Sequence, residues 1–387
     1  MVDVKPIKVF IPVDAREIAT NPYDVIPEEE IARLRENPKS FIHVILPEGE
    51  EEKYENARRA LKYLVESGAL KGQEESFYLY KQENDSWSQR GIIGGFSLKD
   101  YGAGRIKVHE KTREKPLQDR IKHIQFTGAQ TGLVWLLLKS NQKLKDIFDN
   151  VENTEPLLDF EKYGWRNMLW RIPEEFNEDI IQIFKGIDLY VADGHHRIEA
   201  AYRNMKMMEE KFGEGPWSYV MAYVSNDDEV RVLPYNRVIR KLPMSFEEFL
   251  KMVKEKFDVL PNDSHPSKHE ICMFRDKWYK LIPKEIPNDV VGSLDVSILQ
   301  DQILGPILGI NDPRKDPNIF FVGGEQDLEK FVKDGNDLVF SLHPTDVKEI
   351  EAVADAGEDM PPKSTWFDPK LLSGLVVFVF EENKLSS

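Results

Sequence analysis

The sequence predicts a mixed α/β protein, and three observations predict it. Apolar runs of strand length punctuate residues 1 to about 240, namely IKVFIP (7–12), FIHVIL (41–46), SFYLYK (76–81), IIGGFSL (92–98), LVWLLL (133–138), IDLYVA (187–192) and YVMAYV (219–224). Between them lie stretches of helical period. The clearest is 51–66, where Tyr54, Ala57, Leu61 and Leu64 share one face. From residue 291 onward the order is helix (294–309), strand (319–324), helix (325–333), strand (337–344), helix (345–357), loop (358–370) and strand (374–380), which suggests a second set of α/β layers.

Between these halves, SFEEFLKMVKEKF (245–257) reads as an amphipathic helix, followed by ICMF (271–274) and KWYKLI (277–282) as a strand pair around Arg275-Asp276. The expected organisation is thus a core over 1–240, a small α+β insertion over 241–290 and a C-terminal α/β unit over 291–387. No internal repeat or low-complexity linker interrupts it.

Composition narrows the function. The chain has 387 residues, 41% hydrophobic and 31% charged, enough for two or three packed units. Its longest apolar runs, Leu133 to Leu138 and Leu375 to Phe380, fall far short of the roughly 20 residues a membrane helix needs. The opening MVDVKPIKVF lacks the uninterrupted apolar segment of a signal peptide. The single cysteine, Cys272, excludes an internal disulfide and a multi-cysteine zinc site, and favours a cytoplasmic location. A net charge of −16 opposes broad binding to nucleic acid or anionic membranes. Small molecules are the expected partners; the oligomeric state is left open.

The stretch YVADGHHRIEAAYR (190–203) carries the strongest chemical signal. The residues before it read as a strand, and Ile198, Ala201 and Tyr202 fall at helical spacing, so Asp193 to Arg197 forms a strand-to-helix turn. A helix N-terminus offers unpaired N–H groups and partial positive charge to an anion. Gly194 allows a sharp turn and close approach to the backbone, and Arg197 offers a bidentate fork for phosphate oxygens. Asp193 would repel phosphate alone, but fits a Mg²⁺ held between carboxylate and phosphates. His195 and His196 could donate to phosphoryl oxygens or orient the acid. The rival account makes Asp193 an N-cap and the histidines filler, yet capping requires neither adjacent histidines nor the arginine, and the capping-box acid is missing.

A second cluster lies in RIKVHEKTR (105–113), where basic residues alternate with small or apolar ones as on a strand with one cationic face. Across 105–123, seven Lys/Arg (105, 107, 111, 113, 115, 120, 122) oppose three Asp/Glu (110, 114, 119). Lys107, His109, Lys111 and Arg113 are candidates for drawing in a polyanion, and Glu110 is a candidate base. A solvated basic edge that discourages aggregation is the competing account. HEKTR is no zinc-protease helix, since Arg113 stands where HExxH needs histidine. Pro116 then opens a predicted helix closed by Gly128, with Asp119 and His123 one turn apart.

The third cluster, MPPKSTWFDPK (360–370), presents Lys363, Ser364 and Thr365 beside Trp366 on a proline-stiffened loop, suited to phosphate oxygens with an aromatic wall. A purely structural turn would explain the same residues. NPYDVIP (21–27) could line the same site, but helix initiation at Pro27-Glu28-Glu29 explains most of it, and LPYNR (233–237) is a weaker candidate. The P-loop, the Rossmann fingerprint and the GxSxG elbow are all missing.

NPYDVI, HEKTR, ADGHHR, LPYNR, LDVSILQ and DAGEDMPPKSTWF, in that order over nearly the whole chain, resemble the domain-of-unknown-function 1015 family. Its DGHHR turn is similar to that of the ParB/sulfiredoxin-like fold, shared by partition nucleotidases, sulfiredoxins and free serine kinases, which bind nucleotide phosphates there. The resemblance implies a mixed-sheet ParB/sulfiredoxin-like nucleotide-binding core elaborated by the C-terminal unit. Partition proteins add a DNA-reading helix-turn-helix that the acidic balance opposes, and sulfiredoxins need a cysteine where His195 and His196 stand. Free serine kinases match best: they phosphorylate L-serine to O-phospho-L-serine with ATP or ADP and Mg²⁺. The implied roles are phosphate and metal binding at Asp193, His195, His196 and Arg197, and base catalysis at Glu110. A non-catalytic nucleotide-binding regulator is the alternative expectation.

Overall fold

The computed structural model describes residues 2–261 and 264–380, which form two compact units. The first comprises residues up to Lys107, Lys111–Val230 and the chain from Pro369; the second comprises Val108–Glu110 and Arg231–Asp368.

A nine-stranded mixed sheet organises the first unit. Its strands run in the order Ile106–Lys107, Leu189–Asp193, Val134–Leu138, Tyr219–Asn226, Ser88–Ser97, Tyr78–Glu83, Trp165–Arg171 and Leu158–Lys162, with Val4–Lys5 also paired to Ser88–Ser97. Leu189–Asp193 runs parallel to Ile106–Lys107, and Tyr219–Asn226 runs parallel to Val134–Leu138; the other pairings are antiparallel. Val134–Leu138 is buried throughout, as expected of a central strand covered on both faces. The helices Lys53–Glu66, Glu114–Thr127 and His195–Phe212 pack successively on one another. The first buries Ala57, Leu61 and Leu64, three of the four residues assigned to its inner face.

Several elements differ from the sequence pattern. FIHVIL is a short helix, Ile42–Ile45, because the Ser40 hydroxyl accepts the Ile42 N–H and the Asn37 carbonyl contacts His43, which winds the chain into a turn. A brief, fully apolar run has the same appearance in a buried helix as in a buried strand. In RIKVHEKTR only Ile106–Lys107 is strand. GLVVFVF is reduced to Phe378–Val379, which pairs with Ala129–Gln130 in the first unit.

The second unit is built on a six-stranded sheet in the order Phe257–Pro261, Trp278–Pro283, Ile271–Phe274, Leu338–Leu342, Tyr235–Ile239 and Ile319–Gly323. Every pairing is antiparallel. Residues 241–290 are therefore half of this sheet rather than a separate insertion, because Ile271–Phe274 hydrogen-bonds directly to Leu338–Leu342. The expected breaks at 240 and 290 are replaced by breaks at 230 and 368. The long helix expected over 294–309 is Asp295–Leu299 followed by a π-helical turn, Gln300–Leu304. Pro306, which lacks an N–H, prevents regular continuation.

No helix among the described residues is long and apolar enough to cross a membrane.

The helix Glu114–Thr127 buries His123, whose Nε2 lies 2.7 Å from the Val44 carbonyl and donates to it. Burial, with Arg120 beside it, pushes the imidazole down to about 4. Below pH 6.5 the unfolded chain takes up this proton while the folded chain refuses it, so acid favours unfolding. The shift amounts to about 3 kcal/mol, lost progressively between pH 6.5 and 4. Denaturant unfolding across this range should show that slope, and His123→Gln should flatten it. An unchanged slope would assign the acid sensitivity elsewhere.

Candidate functional site

The predicted strand-to-helix turn is present. The strand Leu189–Asp193 ends at Asp193, Gly194 caps the helix with φ 96° and ψ 28°, and an 18-residue helix runs from His195 to Phe212. Gly194 is required here on two counts. Its φ is one that L side chains rarely adopt, and a Cβ would lie 3.0 Å from Arg197 Nε. Asp193 is the last strand residue and not the cap, so N-capping does not explain it. The pairing of its strand with Val134–Leu138 shifts register between Val191 and Asp193, an irregularity that re-aims the strand's end.

Cations surround the carboxylate. Asp193 Oδ1 accepts the Gly194 N–H at 2.9 Å, while Oδ2 lies 3.3 Å from Arg197 Nη2 and 3.8 Å from Lys370 Nζ. Arg197 Nη1 donates to the Leu133 carbonyl, fixing the guanidinium. Burial tends to raise the Asp193 carboxyl, but Lys370, Arg197, His195 and the Gly194 N–H outweigh it and hold it well below the usual range. It is an anion at any physiological pH. His196 accepts the Arg113 N–H through Nε2 at 3.0 Å, which places the proton of the neutral ring on Nδ1.

A cavity of about 40 Å³ opens beside Arg197, lined by Pro22, Tyr23, Arg120, Thr131, Gly132 and Ser373 among others. It holds a group of only a few heavy atoms. Arg120 stacks on the Tyr23 ring at 4.4 Å and bonds Asp119, which Lys53 and Tyr54 also contact. Burial, offset by Arg120, raises the Tyr23 hydroxyl, keeping it a hydrogen-bond donor.

Of the NPYD segment, Pro22 and Tyr23 line this cavity. In the sequence Arg120 contributes only to a local excess of basic residues, and Lys370 only ends a loop motif. Ion-pair chemistry links Lys370 to Asp193 across a sequence separation that no local spacing rule spans. Gly132 and Thr131 carry no motif at all.

The remaining candidates divide between the units. Lys107 pairs with Asp188 at 2.8 Å in the first unit, so its charge has an acidic partner. Lys111 and Arg113 are exposed in the same unit. His109 is buried and Glu110 half-buried in the second unit, where the His109 carbonyl accepts the Met360 N–H at 2.8 Å. Lys363, Ser364 and Thr365 also belong to the second unit. Lys363 is exposed, but Ser364 is buried and donates to the Pro361 carbonyl at 2.5 Å, so its hydroxyl staples the loop.

Fold and turn together define an α/β protein with a carboxylate-bearing, cation-lined turn at the end of a sheet strand. Residues 4–297 match the family described as protein of unknown function (DUF1015), and the chain belongs to that family. No curated protein matches it in sequence. Among solved structures, a free serine kinase in complex with AMP is 14% identical, with a TM-score of 0.36 over 71% of this chain and 86% of that one. SbnI with a C-terminal truncation, from Staphylococcus aureus, is 12% identical, with a TM-score of 0.40 over 73% and 85%. A conserved hypothetical protein from Pyrococcus furiosus is 14% identical, with a TM-score of 0.35 over 72% and 92%.

Proposed function

We propose that this protein is a small-molecule kinase on a ParB/sulfiredoxin-like nucleotide-binding core, transferring a phosphoryl group from ATP or ADP to the hydroxyl of L-serine or a similar small metabolite. The observation that carries this reading is the Asp193 carboxylate, ionised at a helix N-terminus and flanked by Arg197 and Lys370. An acid beside fixed cations suits a phosphate that arrives with its own metal ion.

Mg²⁺ takes oxygen ligands and is commonly held by one or two carboxylates together with substrate phosphates. Asp193 supplies one such carboxylate, and the described residues contain no group of three or more His, Cys, Asp or Glu that would form a dedicated cage. The donor set thus fits an ion delivered with the nucleotide, which would neutralise charge on the phosphates. Arg197 and the N-terminal end of the helix dipole stabilise charge on the moving phosphoryl group. The Asp193 partners hold its geometry before substrate binds, which lowers reorganisation during transfer. The cavity beside Arg197 has room for the hydroxymethyl end of a small acceptor such as serine. In the second unit, Glu110 is our candidate base, and Lys363 and Thr365 are candidate ligands of nucleotide phosphate oxygens.

The test incubates the protein with ATP or ADP, Mg²⁺ and serine, and follows phosphoserine by mass spectrometry. Turnover supports the kinase. Calorimetric binding of ADP without phosphoserine, across a panel of small hydroxylated metabolites, would make the protein a nucleotide-binding regulator. Absence of binding as well would remove the nucleotide reading.

A further inference from the structure

Arg237, from the LPYNR segment, is an unusual residue. It lies on the fully buried strand Tyr235–Ile239 of the second unit and is 3% exposed. A buried guanidinium normally faces a carboxylate, because an uncompensated charge in a dry interior is strongly destabilising. Arg237 has no acidic partner among the described residues. Its contacts are backbone carbonyls and a ring: Nη1 donates to Tyr235 O, Nη2 donates to Lys363 O at 3.0 Å and reaches Pro362 O at 3.4 Å, and the guanidinium lies 5.1 Å from the Phe321 ring centre.

The two carbonyls belong to the loop MPPKSTWF, and the backbone there is strained. Lys363 has φ 59°, one of three non-glycine residues with positive φ among those described. Such a conformation persists only where its surroundings over-determine it, and strain of this kind concentrates at functional sites. The surroundings do so here. Ser364 Oγ bonds Pro361 O, Thr345 Oγ1 bonds Ser364 O at 2.9 Å, and Trp366–Asp368 pairs with Arg231–Leu233. Trp366 packs against Gly323 so closely that a Cβ there would sit 2.1 Å from the indole, and it meets the Tyr235 ring edge-on at 5.2 Å. The Lys363 ammonium lies over the same Tyr235 ring, 5.6 Å from its centre.

Two cations are thus joined through one loop, the inner one without a counter-ion and the outer one exposed. A merely structural staple would be less costly as a neutral side chain. We propose that Arg237 is a positioning residue for Lys363: it clamps the 362–363 carbonyls so that the loop holds the Lys363 ammonium, beside Tyr235, ready for a phosphate. Removing the clamp frees the peptide to leave the left-handed conformation, and the ammonium then samples many positions. Its uncompensated charge also favours an anion over a cation at the loop. This inference rests on the proposed role of Lys363 in binding nucleotide phosphate.

The experiment compares Arg237→Gln, Arg237→Lys, Lys363→Ala and the Gln/Ala double variant, using ADP as probe in calorimetry and trypsin cleavage after Lys363 as a separate readout. Each of Arg237→Gln and Lys363→Ala should weaken ADP roughly tenfold, and the double variant should be no weaker than Lys363→Ala, since a residue acting through another has nothing further to lose. Arg237→Lys should restore part of the affinity. Trypsin should cut Arg237→Gln after Lys363 much faster than the wild type. Additive losses, or a melting-temperature drop in both Arg237 variants with unchanged ADP affinity and unchanged cleavage, would overturn the proposal. Were Lys363→Ala to bind ADP normally, the assigned role of Lys363 would fall, and the trypsin arm alone would decide whether Arg237 holds the loop.

Discussion

Asp193→Asn is expected to abolish phosphoserine formation, with a fall in kcat of at least a thousandfold. Asparagine keeps the shape of the side chain and an oxygen to accept the Gly194 N–H, so the turn survives. What it removes is the negative charge that faces Arg197 and Lys370 and would hold Mg²⁺. A thousandfold corresponds to about 4 kcal/mol of transition-state stabilisation, consistent with loss of a metal-bearing carboxylate. Stability should fall less, by about 1 to 2 kcal/mol, because two cations lose their partner at a site only partly shielded from water. Steady-state kinetics and chemical denaturation on the same preparation separate the two effects. Retention of more than a tenth of wild-type turnover would show that Asp193 serves the fold alone.

Gly194→Ala is expected to damage stability and ligand binding together. Any side chain at φ 96° is strained, at a cost of about 1 to 3 kcal/mol. The new methyl would also press on Arg197, whose Nε it approaches to 3.0 Å, and loosen the guanidinium from Leu133 and Asp193. ADP affinity should therefore fall at least tenfold by calorimetry. Gly128→Ala is the matched control. That residue ends the helix Glu114–Thr127 at φ 61°, and a methyl there would meet nothing within 4 Å, so the variant should lose stability through backbone strain and keep its ADP affinity. Equal loss of affinity in both variants would mean that the effect is a general softening of the fold.

The turn from Asp193 to Arg197 is readable because its information is local: strand pattern, glycine, polar cluster and helical spacing follow one another within a few residues. The same holds for the helix Lys53–Glu66 and the Gly128 helix end. FIHVIL misleads because a run with no strong polar alternation carries no period. The division at 240 and 290 misleads because β pairing is decided by partners far along the chain: Ile271–Phe274 finds Leu338–Leu342, and neither segment names the other. Charge pairing is equally silent in sequence. Lys370 reads as the tail of a loop, and only its approach to Asp193 gives it a part in the site. Arg237 lies in a recognisable motif, yet its lack of a carboxylate is a property of burial and invisible to spacing.

The return of the chain from Pro369 to the first unit has a consequence for biosynthesis. Translation delivers Asp193 and Arg197 early, but the lysine that completes their charge balance and the strand Phe378–Val379 that pairs with Ala129–Gln130 emerge only after the second unit has been made. The first unit therefore cannot finish folding on the ribosome while the second is still being synthesised, although domains ordinarily fold as they appear. A nascent chain stopped early leaves Ala129–Gln130 without its strand partner and Asp193 without Lys370, so incomplete products are expected to be cleaved by protease faster than the full chain. Circular permutation that joins residues 369–380 ahead of the first strand would let the first unit close before the second is synthesised, and pulse-chase protease protection would time the difference.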